Sequence, residues 1–451
     1  MPSNDALAAR DTIAAVATAP GRGGIGVVRV SGAAAADVAR AVAGSLPAPR
    51  LATLAEFRDA RGELIDQGLA LYFPAPASYT GEPVLELHGH GGPVVMQALL
   101  AACVEAGARL AEPGEFTQRA FLEGKIDLAQ AEAVADLIDA ASREAARSAA
   151  RSLAGEFSAV IHDLVGELIE LRALTEAMLD FPEEEVDRLH RDDAQARLAR
   201  VRSRLEEVLG QSRQGSLLRS GIRVVLVGRP NVGKSSLLNR LAGEERAIVA
   251  AVPGTTRDAL REPIQIDGVP IVLVDTAGLR ESADELERLG MERTRRESAG
   301  ADLILAVLEA GAEVGVQEQR LLDALPAGLP RIHVYNKVDL LPGREPGMDA
   351  GPPTQLWISA KTGAGLELLR QALLRAAGWV TAGESVFLAR QRHLQALGRA
   401  REHLEAAASL ASWELFAEEL RLAQRALGEI TGEFSADDLL GEIFARFCIG
   451  K

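Results

Sequence analysis

The stretch VVLVGRPNVGKS occupies residues 224–235. An apolar run (Ile222, Val224, Val225, Leu226, Val227) enters a GxxxxGKS turn at Gly228, Gly233, Lys234 and Ser235, and Ser236, Leu237, Leu238 and Leu241 follow at helical spacing. The pattern predicts strand, phosphate loop and helix. Such a loop holds a polyphosphate without repelling it. Its glycines let backbone N–H groups turn inward, the helix N-terminus adds positive dipole, Lys234 reaches the outer phosphates, and the Ser235 hydroxyl is placed for Mg²⁺.

Outward from the loop, residues 219–378 alternate strands and helices, predicting a doubly wound α/β sheet. PIQI (263–266), the turn Asp267-Gly268 and VPIVLV (269–274) predict a hairpin, and residues 301–308, 331–335 and 355–358 predict three further strands. Asn336-Lys337-Val338-Asp339 falls at a strand end, where open α/β sheets bind ligands. The Asp339 carboxylate accepts two hydrogen bonds that guanine offers and adenine does not, so the nucleotide expected is GTP. Ser359, Ala360 and Lys361 fit a backbone contact to the guanine oxygen. Asp275-Thr276-Ala277-Gly278 supplies a carboxylate for Mg²⁺ and an N–H for the γ-phosphate, and Thr255-Thr256 supplies a second hydroxyl for the metal, assigned to Thr256. The residue after Gly278 is Leu279, where Ras-like enzymes carry a water-orienting Gln. Another acid or base must orient water here.

The flanks read differently. Residues 1–118 mix short strand-like runs (12–17, 26–30, 68–73, 84–87) with helical ones (33–42, 94–106), which predicts a small α/β domain. From about Phe116 the composition turns to Ala, Leu, Glu and Arg at helical spacing, and it returns to that pattern after about Glu384. An α/β module inserted into one helical domain accounts for both stretches. The boundaries expected are 1–118, 119–218, 219–378 and 379–451. A chain of 451 residues is also too long for one core, at roughly one domain per ~150 residues.

Acidic residues outnumber basic ones 64 to 49, for a formal charge of −15, so bulk attraction of nucleic acid is excluded and any RNA contact must be local. Two distant cysteines, Cys103 and Cys448, suggest a reduced cytoplasmic setting, and no apolar stretch of ~18 residues predicts a membrane span. Cys103 reads as core, and Cys448 by itself as a small buried hydrophobe. The acids Glu183, Glu184 and Glu185 after Pro182 read as a solvated helix start rather than a metal site. His88-Gly89-His90-Gly91-Gly92 reads as a Gly-rich turn rather than a metal pair. Gly21-Arg22-Gly23-Gly24 matches an RNA-clamping GxxG literally, without its flanking helices.

Several runs carry a resemblance over nearly the whole chain: APGRGGIGVVRVSG (19–32), YTGEPVLELHGHGG (79–92), GEFTQRAFLEGKIDLAQAEAVADLI (114–138), DFPEEE (180–185), the GTPase motifs, and the terminal FCIGK. The chain resembles the MnmE (TrmE) family of tRNA-modifying GTPases, of the TrmE–Era–EngA–YihA–septin-like P-loop class. The resemblance implies a tetrahydrofolate-binding-like N-terminal domain that dimerises, a discontinuous helical domain and an inserted Ras-like G domain. It implies GTP contacts through Asn231, Val232, Gly233, Lys234, Ser235, Ser236, Thr255, Thr256, Asp275, Thr276, Ala277, Gly278, Asn336, Lys337, Asp339, Ser359, Ala360 and Lys361. K⁺ is implied in the role an arginine finger plays elsewhere, held by Asn231, Ala250, Val252 and Thr255, with Glu287 orienting water. It further implies 5-formyltetrahydrofolate or methylene-tetrahydrofolate on Arg29, Glu86, Lys125 and Lys451, and a functional thiol at Cys448. The implied reaction installs an aminomethyl or carboxymethylaminomethyl group at C5 of the wobble uridine of tRNA. The implied assembly is a homodimer joined to an FAD-dependent partner protein as a heterotetramer. The alternative is a regulatory GTPase that binds RNA or ribosomes without modification chemistry.

Overall fold

The computed structural model describes residues 11–180, 187–244, 261–275, 300–312, 315–323, 325–326, 328–379, 386–433, 437–445 and 447–450. They fall into two compact units, Met1–Ala135 with Gly428–Lys451, and Asp136–Leu427. The DFPEEE acids 181–185 lie outside the described residues.

The first unit is built on a six-stranded sheet in the order β3-β4-β5-β2-β1-β6. Its strands are β1 (Ile13–Val16), β2 (Gly23–Ser31), β3 (Thr53–Arg58), β4 (Leu64–Phe73), β5 (Val84–Gly91) and β6 (Arg109–Leu110). Alternation decides the faces. Val28, Val30, Leu85, Leu87, Phe57 and Ala70 point to one side and are buried with α1 (Ala35–Ala43) and α2 (Pro93–Glu105). On the other side register aligns Leu71, Glu86, Arg29 and Ala15 in one row and Leu54, Leu69, His88 and Val27 in the next. Ile13, Ala15 and Ala111 of this side are covered by Phe116 of α3 (Glu115–Leu122) and by Tyr79.

Two elements differ from their sequence pattern for physical reasons. β3 escapes prediction because its outward residues include Leu54, 67% exposed, which blurs the alternation. The segment predicted as a Gly-rich turn at His88–Gly92 is instead strand through Gly91. Its glycines serve close approach rather than bending, since a Cβ on Gly89 would lie 2.6 Å from Asp66 Oδ2 and one on Gly91 would lie 2.7 Å from the Ile25 carbonyl.

The chain end joins this unit. Leu440, Ile443 and Phe444 of the last helix (Asp437–Phe444) and Phe447 pack with Leu128 and Ala131 of α4 (Leu128–Ile138). Ile449 then bridges to Pro113, and the Gly114 N–H donates to the Cys448 carbonyl at 3.4 Å.

The second unit holds a seven-stranded sheet in the order β12-β13-β11-β10-β7-β9-β8. β7 (Ile222–Val227), β9 (Val269–Asp275), β10 (Leu303–Glu309), β11 (Arg331–Asn336) and β13 (Thr354–Trp357) run parallel, while β8 (Arg261–Ile266) and β12 (Gly347–Asp349) close the edges antiparallel. The near-continuous apolar runs of β7 and β10 are what a sheet covered on both faces requires. The predicted β8–β9 hairpin is present, with φ of 48° at Asp267 and 81° at Gly268.

Helices α5 (Arg143–Leu153), α6 (Glu156–Asp180) and α7 (Asp187–Ser220) precede this sheet in sequence. Within it or after it come α8 (Lys234–Glu244), α9 (Val316–Asp323), α10 (Leu366–Ala376), α11 (Gln391–Ser409) and α12 (Trp413–Thr431). The α/β module enters from α7 and returns ahead of α11, and one carboxylate clasps both crossings. Asp136 Oδ1, in a buried residue, accepts from Arg219 Nε at 2.8 Å and from Arg390 Nη2 at 2.7 Å. The fold is therefore multidomain α/β plus all-α, as the sequence predicts. Among the described residues no helix is long and apolar enough to cross a membrane.

Candidate functional site

The loop between β7 and α8 is shaped by backbone. Asn231 and Gly233 have φ of 65° and 99°, and Gly228 has 151°. At Gly233 only glycine fits, because a Cβ would stand 2.2 Å from Asn336 Nδ2. Lys234 is buried, and its Nζ donates to the carbonyls of Gly228 at 2.7 Å and Arg229 at 2.6 Å, so its charge is held inside the curve of the loop. Ser235 and Ser236 stand exposed in the first turn of α8, where helix dipole and unpaired N–H groups favour an anion. Val232 is buried under the loop.

Asn336 does something its sequence position did not predict. It is 3% exposed, and both of its polar atoms go to backbone: Nδ2 donates to the Val232 carbonyl at 2.8 Å, and Oδ1 accepts from the Ala360 N–H at 2.9 Å. The phosphate loop and the Ser359–Ala360–Lys361 loop are thereby braced against each other. Parallel register sets Asn336 beside Glu309, and the next residue, Lys337, takes a left-handed φ of 70° and pairs with Glu309 Oε1 at 3.1 Å. Asp339 lies exposed on the turn Val338–Leu340, with its carboxylate open to a base. The buried Ser359 accepts the Thr362 N–H on Oγ at 3.1 Å and so shapes its loop, leaving Lys361 exposed at the rim.

Asp275 ends β9, and its side chain is outside the described part of the chain. Ala250, Val252, Thr255, Thr256, Thr276, Ala277, Gly278, Leu279, Glu287 and Lys451 also lie outside the described residues.

A second polar site lies in the first unit. Arg29 and Glu86 are direct cross-strand partners, and Arg29 reaches Glu86 Oε1 through Nε at 3.0 Å and Nη2 at 2.9 Å. The guanidinium lies 5.5 Å from the Tyr79 ring centroid and 5.8 Å from that of Phe116. Two aromatic walls thus hold the cation. Burial pushes the Tyr79 hydroxyl up from its ordinary pKa against the opposing effects of Thr117 and Arg29, and it shares a 2.9 Å hydrogen bond with Thr117 Oγ1. Lys125 is exposed and donates to the Pro76 carbonyl at 3.0 Å, in the same connecting segment that carries Tyr79.

Beneath α3 a buried ionic group fixes this wall. Arg119 reaches Glu82 at 3.0 Å and Glu115 at 2.8 Å, and Glu115 also binds Arg109 at 2.7 Å. Burial alone would raise the Glu115 carboxyl. Hydrogen bonds from Arg109, from the Glu112 N–H and from Arg119 outweigh it and hold the group below the usual carboxylate range. Cys448 is exposed, contrary to its intrinsic tendency to bury, on the tail that runs along Pro113 and Gly114. Cys103 is core, its thiol pushed up to about 12 by burial.

Sequence reasoning missed Glu309, Phe116 and the pairing partners of the histidines. For Glu309 and the histidines the signal is register, since they gain these neighbours only when strands are aligned, and for Phe116 it is the packing of α3 against the sheet. His88 Nε2 lies 3.2 Å from Glu86 Oε2, and His90 Nδ1 lies 2.8 Å from Asp66 Oδ1. Each histidine thus has one carboxylate, and among the described residues no group of three or more potential ligands gathers for a metal.

Comparison with known proteins gives two family matches. "GTP-binding protein TrmE N-terminus" matches residues 12–125, and "MnmE helical domain" matches residues 128–448. The tRNA modification GTPase MnmE of Azoarcus sp. (strain BH72) is 62% identical over 98% of this chain and 98% of its own length. The protein of the same name from Nitrosospira multiformis is 60% identical over 98% of this chain and 99% of its own. Among solved structures, the G domain of the T. maritima FeoB iron transporter is 26% identical over 35% of this chain and 98% of that one, with a TM-score of 0.25.

Proposed function

The chain belongs to the MnmE family of tRNA modification GTPases, and from that premise we propose a K⁺- and Mg²⁺-dependent GTP hydrolase that acts with an FAD-dependent partner protein. Together they install an aminomethyl or carboxymethylaminomethyl group at C5 of the wobble uridine, with a folate one-carbon unit. The observation that carries this reading is a convergence in the first unit. The tail bearing Cys448 runs along Gly114, and the helix that begins one residue later brings Phe116 to the Arg29–Glu86 pair.

In the nucleotide site the chain's own work is binding and orientation. The loop N–H groups and Lys234 receive the phosphates, Asp339 selects guanine, and Asn336 keeps the two loops at a fixed spacing. Mg²⁺, held by Ser235 and Thr256, would offset charge on the phosphates, and K⁺, held by Asn231, Ala250, Val252 and Thr255, would stabilise the charge that develops as the bond breaks. The exposed Asn231 in a left-handed conformation and the exposed Ser235 suit those roles. Glu287 is assigned the water-orienting role that Leu279 cannot fill.

The donor set of the second site fits a folate. The Glu86 carboxylate accepts hydrogen bonds from an aminopterin ring, while Lys125 and Lys451 suit a glutamate tail. Folate supplies the one-carbon unit when bound. Homodimerisation is supported by the open part of the sheet, where Ile25, Leu54 and Leu69 are 69%, 67% and 41% exposed. The domain plan is a folate-type domain (1–118), a discontinuous helical domain (119–218 and 379–451) and an inserted G domain (219–378), in a cytoplasmic protein.

Mass spectrometry of wobble uridines from a deletion strain tests the reaction. Loss of the modified nucleoside is expected, and an unchanged profile sinks the reading. GTP turnover in KCl against NaCl at equal ionic strength tests the cation: faster turnover in K⁺ is expected, and equal rates remove it.

A further inference from the structure

The HGHGG run is a motif that neither the nucleotide site nor the folate reading absorbs, and in the folded chain its first histidine touches the Glu86 carboxylate. Arg29 places Nε and Nη2 on the same oxygen, Oε1, at 3.0 and 2.9 Å. The other oxygen, Oε2, is met by His88 Nε2 at 3.2 Å. Glu86 and His88 lie two residues apart on β5 and so project from one face, in adjacent rows of the sheet.

A carboxylate gripped at one oxygen can still turn about its last bond, because that torsion is broad. A second contact on the other oxygen fixes its plane. We propose that His88 is the positioning residue that locks the Glu86 carboxylate so that Oε2 accepts one N–H donor of a ligand, such as the exocyclic amine of an aminopterin ring. Arg29 occupies Oε1, so the acceptor capacity left for a ligand is chiefly on Oε2, which His88 orients. To donate to a carboxylate, Nε2 must carry hydrogen, which fixes the imidazole tautomer and turns Nδ1 away from Glu86. His88 is half-buried, so its role is to hold rather than to cover.

The proposal rests on the folate reading, and the test separates the two. Binding of 5-formyltetrahydrofolate to the purified full chain is measured by titration calorimetry for the wild type, His88→Ala and His88→Gln, with melting curves for each. A charge-assisted hydrogen bond removed by His88→Ala predicts affinity weakened about tenfold or more at unchanged melting temperature. His88→Gln, whose side-chain amide N–H can meet the same oxygen, is expected to restore affinity to within about threefold of the wild type. ¹⁵N NMR is expected to place the His88 proton on Nε2, and to lose that signature in Glu86→Gln. Wild-type binding with unchanged affinity in His88→Ala overturns the inference alone, as does loss that His88→Gln fails to restore. Absence of wild-type binding overturns the folate reading and the inference with it.

Discussion

The two polar sites are made by opposite means. The nucleotide loop is a backbone structure: its cradle needs Gly233, a positive φ at Asn231, and N–H groups that any sequence would supply in that path. The Arg29–Glu86 site is made of side chains from β2, β5, α3 and the segments around Tyr79 and Lys125, and strand register together with the packing of α3 and those segments brings them together. A site built from local backbone leaves a contiguous motif in sequence. A site built from register leaves isolated residues that look like surface charges.

The largest single effect that contrast predicts is at Asp339, the residue proposed to read the base. Asp339→Asn is expected to lower GTP affinity on the order of a thousandfold, because charge-assisted acceptance of two donors is lost. Xanthine nucleotide, which presents a carbonyl where guanine has its amine, is expected to bind better than GTP. Fluorescent-nucleotide titration checks both, and folate binding in the same sample is expected to be unchanged.

Next in size is a pair of glycines in similar-looking motifs. Gly233→Ala puts a Cβ against Asn336 at a strained φ and is expected to cost about 2–4 kcal/mol, read as weakened GTP binding and a lower melting temperature. Gly24→Ala, in the literal GxxG of the first unit, meets nothing within 4 Å and is expected to change stability by less than about 0.5 kcal/mol. Equal effects would break the contrast between a glycine that shapes a cradle and one that lies in the strand β2.

Legibility follows the same division. The strand–loop–helix at 222–244, the β8–β9 hairpin and NKVD were readable because each is local, and the helical flanks were readable from composition. The role of Asn336 was not, because its two bonds join loops more than a hundred residues apart in sequence on one side and two dozen on the other. The His88–Gly91 strand reads as a turn in sequence because glycines that admit Asp66 and neighbouring backbone look the same there as glycines that bend a chain. Phe116 sits in a run whose Ala-rich composition announces helix but not which ring will flank Arg29. Residues 276–299 carry Glu287, whose assignment comes from family resemblance alone.

A smaller effect is expected at the register-built site. Glu86→Gln removes the charge partner of Arg29 in a half-buried pair and is expected to cost about 1 kcal/mol of stability. Folate binding is expected to be lost while GTP turnover in K⁺ is unaltered. A fall in basal turnover, measured by phosphate release, would show that the two sites are not built independently.

The smallest effect separates the sites by what titrates. The two loops of the nucleotide cradle are braced by backbone groups and by the Asn336 amide, which take up no protons. The wall of the other site stands on Glu115, whose carboxyl is held below the usual range by Arg109, the Glu112 N–H and Arg119 against the opposing effect of burial. In the unfolded chain that carboxyl titrates near its ordinary value of about 4.3. Between the two values the unfolded state binds more protons than the native one, so stability rises with pH there. The stabilisation is complete above the unfolded value and is lost as pH falls through the folded one, with a slope of at most about 1.4 kcal/mol per pH unit from this group. Glu115→Gln removes that slope while leaving an amide for Arg109 and Arg119 to bond. Hydrogen exchange of the β1 and β2 amides between about pH 3 and 5 is therefore expected to show a shallower acid dependence in Glu115→Gln than in the wild type, whereas protection of the β7 amides keeps the wild-type profile. An identical flattening at β7 would mean that the acid response belongs to the whole chain and not to the side-chain-built wall.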